Sequence, residues 1–409
     1  MTEEDLKNDF AALSCAQDLP PEKFEAISET CEQVLWRFKL NLTQSSIFIH
    51  QIEKACSRDM DKVNLCRNRF PGSENSGHFM SCLINEKLEN QLKPSCHDFL
   101  TQIEAVIFSD YNLIADFANK CRNDIEVKFC GHVRRQMHSD SKVIFYHHSQ
   151  GLVWECLSKH VDEVEPQCKE EILQIAEWQS DDFHLDRPLY FACKQDRKTL
   201  CQNVKSGDGR IIECLLEHKS DEQMSDPCRD QLRRRQKLVS ENYKVSRGLV
   251  KACKEEIKSN KCKKDLKSKD KTVRLVEILL CLEEVLRNED GNIGGHCQAE
   301  MKSHRKMLME DYSISPELVS KCGTAIETNC VNAGQKHPGE VIHCLLRAAM
   351  QHKLDDEPGC QDELQILLRQ ADVASDWKVD PVLKNACQDV VMAACDPSLG
   401  HVTVSNILT

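Results

Sequence analysis

Aromatic side chains are scarce in this sequence, making up 5% of its 409 residues. So few rings argue against one large aromatic core, and the length exceeds that of one ordinary domain. No segment approaches the roughly 20 consecutive apolar residues that a membrane-spanning helix requires. The first ten residues, MTEEDLKNDF, contain no apolar run, so they do not form a secretory signal peptide.

The sequence also has no recognisable catalytic or cofactor-binding motif. It contains neither a glycine-rich phosphate loop nor a G-x-S-x-G motif, and it has no C-x-x-C pair of the kind that binds zinc. The adjacent His147 and His148 fall in a long loop, where solvated histidines are commoner than ligand pairs. We therefore predict that the protein is not an enzyme and has no catalytic, cofactor-binding or metal-binding residues.

Cysteine, in contrast, is abundant, with 24 residues, and most of them form quartets of similar spacing. The quartets are Cys56, Cys66, Cys82 and Cys96; Cys121, Cys130, Cys156 and Cys168; Cys193, Cys201, Cys214 and Cys228; Cys253, Cys262, Cys281 and Cys297; Cys322, Cys330, Cys344 and Cys360. An even number of regularly spaced cysteines predicts a disulfide framework formed in an oxidising compartment.

Spacing separates a constant part of each repeat from a variable part. The step from each fourth cysteine to the next quartet's first is 25 residues, whereas the step from second to third varies from 13 to 26. A fixed length indicates regular structure, and a variable one indicates a surface loop. This periodicity predicts complete repeats with partial repeats at both ends. The predicted boundaries are 1–40 (partial), 41–106, 107–178, 179–238, 239–307, 308–372 and 373–409 (partial).

A common phrase precedes the first cysteines, as in DYSISPELVSKC (311–322) and DWKVDPVLKNAC (376–387). Its aromatic and aliphatic residues, two apart, predict a short extended segment with one buried face. A following Asp or Ser predicts a helix N-cap, and proline occupies the next position in two repeats. The N-cap positions are Asp186, Ser246, Ser315 and Asp380, whereas Ile49 and Ile114 stand there in the first two repeats.

The helix that begins at this cap is expected to run through the first and second cysteines. A second helix surrounds the third cysteine, which leucine always follows, and a third helix begins at the fourth. No segment shows convincing strand alternation. The predicted fold class is all-α: a solenoid-like tandem array of disulfide-stapled helical repeats, each of roughly 65 residues.

Helix geometry favours one disulfide pairing over its alternatives. Cysteines eight or nine apart on a straight helix are separated by roughly 12–13 Å, and a disulfide needs Cα atoms within about 7 Å. We therefore favour first–fourth and second–third pairing, while first–second with third–fourth remains the alternative. The favoured pairing leaves Cys15, Cys31, Cys387 and Cys395 as free thiols, and the alternative pairs them all.

The formal net charge is −12, which argues against general nucleic-acid binding and suits a basic protein partner. Two basic runs depart from this average: Arg233–Arg235 with Lys237, and residues 251–274. Each is interpreted either as a binding site for sulfated glycans or as a solvated helix face, and the interleaved acidic residues favour the second interpretation. Asn41 begins the one N-x-S/T sequon and is a candidate glycosylation site.

The caps, the C-L dipeptide at the third cysteine and the 25-residue interval together resemble the cysteine-rich repeats of the Golgi apparatus protein 1 family. SDDFHLDRPLYFAC and RKMLMEDYSISPEL carry the resemblance most clearly, and it covers residues 15 to about 395. Members of this family are also described as cysteine-rich fibroblast growth factor receptors and as E-selectin ligands.

The resemblance implies a membrane glycoprotein on the lumenal side of the Golgi, which binds secreted ligands such as fibroblast growth factors without catalysis. It implies secreted, basic growth factors as partners, with a selectin as a further candidate. A sulfated glycan is the candidate partner that the two basic runs indicate. The alternatives are a scaffold of the Golgi lumen and a cell-adhesion ligand. A disulfide-rich chain with neither signal peptide nor membrane span is expected to be a fragment, anchored through segments absent from it.

Overall fold

The structure is a computed structural model. It describes residues 13, 15–16, 18–19, 23, 28–44, 46–70, 77–89, 92–114, 116–130, 151–262, 272–287, 293–333, 339–371 and 376–394. Helices dominate these residues, and no strand occurs among them. The predicted all-α class is therefore confirmed. The chain divides into two compact units, Met1–Arg234 and Arg235–Thr409.

The first unit contains the helices α1 to α11 and the start of α12. Their bounds are α1 Glu29–Gln44, α2 Ser46–Ala55, α3 Met60–Arg69, α4 Gly77–Glu89, α5 Pro94–Ile107, α6 Phe117–Lys120, α7 Arg122–Val127, α8 Leu152–Lys159, α9 Pro166–Trp178, α10 Arg187–Leu200, α11 Arg210–Glu217 and α12 Asp226–Glu241. The bounds in the second unit are α13 Arg247–Ala252, α14 Lys254–Ser259, α15 Leu275–Arg287, α16 Gly295–Glu310, α17 Pro316–Asn329, α18 Glu340–Met350, α19 Pro358–Ala371 and α20 Pro381–Ala394.

The start of the first-cysteine helix follows a two-step turn that the sequence specifies locally. At Asp311 the side chain accepts a hydrogen bond from the backbone N–H of Ser313 at 3.1 Å, which closes a 3₁₀ turn over Tyr312–Ile314. Ser315 then caps α17 by accepting from the N–H of Leu318, and Pro316 occupies the first helical position. Side-chain caps also form at Asp186, Ser246 and Asp380, as predicted.

The segment before this cap is not extended, so that prediction was wrong. Four repeats have 3₁₀ turns there, namely Tyr111–Leu113, Tyr243–Val245, Tyr312–Ile314 and Trp377–Val379. The reason is the preceding Asp or Asn, because its side-chain oxygen binds the amide two residues later and curls the chain. Ile114 lacks a capping oxygen, and α6 instead begins after Asp116, a residue with φ +63°.

The prediction of one continuous helix through the first and second cysteines holds in only some repeats. Where eight residues separate these cysteines, α10 and α17 run unbroken to the second one. Where the spacing is nine, the helix is interrupted at Cys121 and Cys253, and Phe129 and Lys261 adopt φ +55°. The following cysteine amides then bond carbonyls five residues back, so one extra residue is absorbed in a left-handed helix end.

The leucine after each third cysteine lies in the core. Leu83, Leu157, Leu215, Leu282 and Leu345 are all at most 1% exposed. In the repeat 179–238 the surrounding core contains Phe183, Leu189 and Leu232 together with three of the four cysteines. The fourth, Cys214, is partly buried and packs against this core. A core of this size is marginal alone, and each disulfide contributes about 2–4 kcal/mol of stability.

Candidate functional site

Ten disulfides form the covalent framework of the described residues. Five join first to fourth cysteines: Cys56–Cys96, Cys121–Cys168, Cys193–Cys228, Cys253–Cys297 and Cys322–Cys360. Five join second to third: Cys66–Cys82, Cys130–Cys156, Cys201–Cys214, Cys262–Cys281 and Cys330–Cys344. This is the pairing that helix geometry favours, because it joins neighbouring helices rather than two points on one helix.

The first–fourth bonds lie in the interior, since each of their cysteines is at most 1% exposed. Their Cα atoms approach to between 4.4 and 4.8 Å, which brings the two helix backbones very close together. Cys15 and Cys31 are free and exposed, and Cys387 is free and half-buried. Cys395 lies outside the described residues.

A carboxylate beside four of the five first–fourth bonds fixes the start of the fourth-cysteine helix. In the repeat 179–238, Asp196 accepts from the backbone N–H of Ser225 at 2.7 Å and from its hydroxyl at 2.8 Å. Asp59, Asp124 and Glu256 accept from the corresponding N–H groups of Lys93, Glu165 and Gly294. The fifth quartet has Ala325 at this position. We call this hydrogen bond the carboxylate latch.

The carboxylate latch was not predicted, although the sequence contains its signal. Each acidic residue stands three positions after a first cysteine, and each amide belongs to the residue three positions before a fourth cysteine. The bond satisfies an amide at a helix start that has no intrahelical partner. Disulfide and latch therefore hold two turns of the same pair of helices together.

Two of the three arginines in the basic run 233–235 are buried. Neither interpretation of the run, as a glycan-binding site or as a solvated helix face, is therefore correct for those two residues. Arg234 and Arg235 are 6% and 1% exposed. The guanidinium of Arg234 binds Asp186, donates to Ser158 Oγ at 3.3 Å and stacks 4.6 Å from the ring of Trp154. Only Arg233 lies on the surface, paired with Asp230.

Polar residues also support the helix caps of the second unit. Ser246 Oγ lies 2.9 Å from Nε2 of His304, whose imidazole is buried. Burial lowers the pKa of His304 to about 4, so the ring is neutral at pH 7. His343 Nε2 lies 2.6 Å from Oδ2 of Asp380, and this contact holds the pKa of that carboxyl low despite its burial.

Four ionisable side chains meet in the first unit between α4, α5 and the segment before α10. Lys87 Nζ lies 2.8 Å from Glu104 and 3.3 Å from Asp181, and all three side chains are at most 2% exposed. His97 Nε2 lies 3.0 Å from Asp181. Burial raises the pKa of Glu104 to about 7, and the hydrogen bond to Asp181 raises the pKa of His97. We call these residues the buried charge cluster.

A second buried cation lies nearby in the same unit. Lys39 of α1 is 1% exposed and donates from Nζ to Ser109 Oγ at 2.7 Å. Burial lowers the pKa of Lys39 to about 8, although the buried Asp110 favours its charged form. Such an arrangement positions α1 against the end of α5.

The remaining predicted site residues have different outcomes. Asn41 lies in α1, and its side chain is outside the described part of the chain, as are His147 and His148. Among the described residues no group of three or more His, Cys, Asp or Glu side chains is placed to hold a metal ion. No helix in the described part of the chain has the length and hydrophobicity to cross a membrane.

These observations define the class of protein. It is a tandem array of helical repeats in which two disulfides close each complete quartet. The chain belongs to the cysteine rich repeat family, labelled Cys_rich_FGFR, whose model matches it six times. The matched segments are 29–91, 94–165, 166–223, 226–290, 295–353 and 358–406. No solved structure matches the chain.

Curated relatives agree with this family. The chain is 38% identical over 398 residues to Golgi apparatus protein 1 of Homo sapiens, which covers 95% of the chain and 32% of that protein. The Gallus gallus protein of the same name is also 38% identical, with 34% of it covered. The Golgi apparatus protein 1 homolog of Caenorhabditis elegans is 32% identical over 410 residues. The chain spans about a third of the length of these relatives.

The family register differs from the quartets and changes the meaning of the disulfides. Each matched segment begins two residues before a cysteine of the fourth type, such as Cys96 or Cys168. In this register the second–third bonds lie within one segment, whereas each first–fourth bond joins a segment to the next. Consecutive family repeats are therefore covalently linked.

Proposed function

We propose that the chain is a non-enzymatic binding array on the lumenal side of the Golgi membrane system, where it engages secreted basic proteins such as fibroblast growth factors. Ten disulfides in the described residues support an oxidising compartment. The name of the relatives supports a Golgi location, and the family label supports a growth-factor ligand.

The observation that carries the proposal is an uneven distribution of negative charge. Repeat 308–372 contains 11 acidic residues against 5 basic ones, about half of the net −12 of the chain. Glu327, Asp355, Asp356 and Asp362 of this repeat are exposed. Glu327 lies on α17, Asp362 lies on α19, and Asp355 and Asp356 lie in the turn between α18 and α19. Two disulfides hold these three helices together, so a cationic partner meets a preorganised surface.

The test measures binding of the oxidised chain to a basic fibroblast growth factor at physiological salt. Changing Glu327→Gln, Asp355→Asn, Asp356→Asn and Asp362→Asn is expected to weaken binding about tenfold or more, mainly through a slower association rate. The matched control removes four exposed carboxylates elsewhere, by Asp61→Asn, Glu126→Gln, Asp162→Asn and Glu222→Gln.

Binding that is absent in the unmodified chain, or that both variants weaken equally, would contradict the proposal. Sedimentation distinguishes the rival scaffold function, for which self-association without affinity for the growth factor is expected. Val331 and Met350, 64% and 76% exposed, are apolar residues through which such self-association would proceed.

A further inference from the structure

The repeat 239–307 has the opposite charge to the rest of the chain. It contains 16 basic and 11 acidic residues, although the whole chain has a net charge of −12. Its described basic side chains concentrate on the helical stretch that carries the first cysteine, Cys253. Lys251, Lys254, Lys258 and Lys261 are all exposed there. We call these four residues the lysine ridge.

The spacing of the lysine ridge places its side chains on one side of the stretch. Lys254 and Lys258 are four residues apart on α14, so they lie on the same side of that helix. Lys251 stands three residues before Lys254, on α13, and Lys261 stands three residues after Lys258, just beyond the end of α14. Leu249, Cys253 and Ile257 are at most 4% exposed and form the opposite, buried side. Lys261 ends the ridge at φ +55°, and its side chain is also exposed.

Two glutamates lie in the same stretch as the ridge. Glu256 is engaged in the carboxylate latch with the N–H of Gly294. Glu255 is exposed as well. Four exposed lysines and one exposed glutamate therefore lie on this stretch.

The ridge is specific to this repeat. The four positions equivalent to the ridge, counted from the first cysteine, contain at most two basic residues in each of the other complete repeats. In the repeat 107–178 they are Asn119, Arg122, Glu126 and Phe129, and in the repeat 308–372 they are Ser320, Gly323, Glu327 and Cys330. A structural need of the fold would place lysines at these positions in every repeat, so the ridge serves something outside the fold.

We propose that the lysine ridge binds a linear sulfated glycan. A row of ammonium groups along one helical side suits a linear polyanion, whose bound counterions are released on contact. A lipid surface is the weaker candidate, because Leu249 and Ile257 are buried and provide no apolar side chain for insertion. This inference does not depend on the growth-factor binding proposed above.

The test measures binding of the oxidised chain to a heparin oligosaccharide at several salt concentrations, beside unsulfated hyaluronan and vesicles containing phosphatidylserine. The test variant carries Lys251→Gln, Lys254→Gln, Lys258→Gln and Lys261→Asn, since asparagine tolerates a left-handed backbone. The control carries Arg347→Gln, Lys353→Gln, Arg369→Gln and Lys378→Gln, which removes the same charge from exposed positions of the same unit.

The ridge variant is expected to bind heparin at least about tenfold more weakly and with a shallower salt dependence, while the control changes about threefold or less. Peptide mapping of the ten disulfides and a thermal melt establish that both variants are folded. No heparin binding by the unmodified chain, equal losses in both variants, or stronger binding to hyaluronan or to vesicles would each overturn the proposal.

Discussion

Arg234 Nη2 lies 2.8 Å from both carboxylate oxygens of Asp186, although 48 residues separate the two in the chain. Both side chains are at most 3% exposed. Asp186 also caps α10 by accepting from the N–H of Leu189. One carboxylate thus begins the first-cysteine helix and neutralises a cation from the fourth-cysteine helix, α12.

Replacing Asp186 by serine separates these two roles. Serine still caps the helix, as Ser246 and Ser315 do in other repeats, but Arg234 then remains buried without its counter-charge. The expected loss is about 3–5 kcal/mol of unfolding free energy, and adding Arg234→Met should restore much of it. Denaturant titration measures the unfolding free energy of both variants. The control is the exposed Arg233→Met, which should change stability by less than about 0.5 kcal/mol. Equal stability of Asp186→Ser and the unmodified protein would contradict a structural role for the pair.

Loss of one carboxylate latch is expected to destabilise the chain moderately. Asp196→Ala leaves the backbone N–H and the hydroxyl of Ser225 without their acceptor, at a cost of about 1–3 kcal/mol. Denaturant unfolding with hydrogen exchange should locate the loosening at the start of α12. The exposed Glu222→Ala is the control, and it should leave both measurements unchanged. The idea fails if the two variants behave alike.

Acidification is expected to stabilise the first unit through the buried charge cluster. Glu104 and His97 both have raised pKa values, so each holds its proton more tightly in the folded state than in the unfolded state. The stabilisation that these two groups give the folded state is complete below their ordinary pKa values, 4.5 and 6.5. It is lost as the pH rises through their pKa values in the folded state, about 7 for Glu104. The loss between pH 5 and 8 is on the order of 1–3 kcal/mol.

Hydrogen exchange of α4 and α5, expressed as protection factors that are corrected for the intrinsic pH dependence of exchange, measures this effect in the whole chain. Glu104→Gln should flatten it between pH 6 and 8, because glutamine does not titrate. Lys87 and Asp181 remain in place in that variant as the other charged members of the cluster. An unchanged slope would show that the dependence arises elsewhere.

The second unit is expected to respond to acid in the opposite direction. His304 has a lowered pKa, about 4, so its stabilising effect is present above the ordinary value of 6.5 and is lost as pH falls towards 4. Ser246 and Glu300 are the polar groups beside its ring, at 2.9 and 3.8 Å. The exchange protection factors of α13 and α16, which are corrected for the intrinsic pH dependence of exchange, should therefore fall below pH 6.5, and His304→Gln should remove this fall. Retention of the acid effect in that variant would assign it to another group.

Thiol counting tests the pairing scheme in this 409-residue chain. Labelling under denaturing, non-reducing conditions should modify four cysteines, which mass spectrometry should locate at Cys15, Cys31, Cys387 and Cys395. The first three are free in the structure, and the favoured pairing leaves the fourth without a partner. Zero labelled thiols, together with a peptide joining Cys193 to Cys201, would support the alternative pairing.

Features governed by neighbouring residues could be predicted from the sequence. The cap at Ser315 and the proline after it act within one helical turn, so composition at fixed offsets revealed them. The favoured disulfide pairing needed only the rise of a helix and the reach of a disulfide. The difference between spacings of eight and nine residues from the first to the second cysteine also has a local cause. However, the left-handed helix ends at Phe129 and Lys261 became evident only in the structure.

Features that join distant segments could not be predicted in the same way. Arg234 belongs to a run of three arginines, and nothing in that run distinguishes the buried Arg234 and Arg235 from the exposed Arg233. The buried charge cluster combines residues from 87 to 181, whose proximity depends on how three elements pack. The carboxylate latch could have been predicted in part, because aligning the quartets on their cysteines would have shown its acidic position.

The nesting of the two disulfides in each quartet has a consequence for proteolysis. A peptide bond cut between Cys201 and Cys214 is spanned by the bond joining those cysteines and again by Cys193–Cys228. The two pieces therefore stay attached until a reductant is added. No disulfide of either quartet spans a cut between Cys228 and Cys253. However, α12 and its flanking turns occupy most of that interval. A protease that cleaves a variable loop thus creates a new N-terminus and a new C-terminus, but both halves of the repeat remain covalently joined.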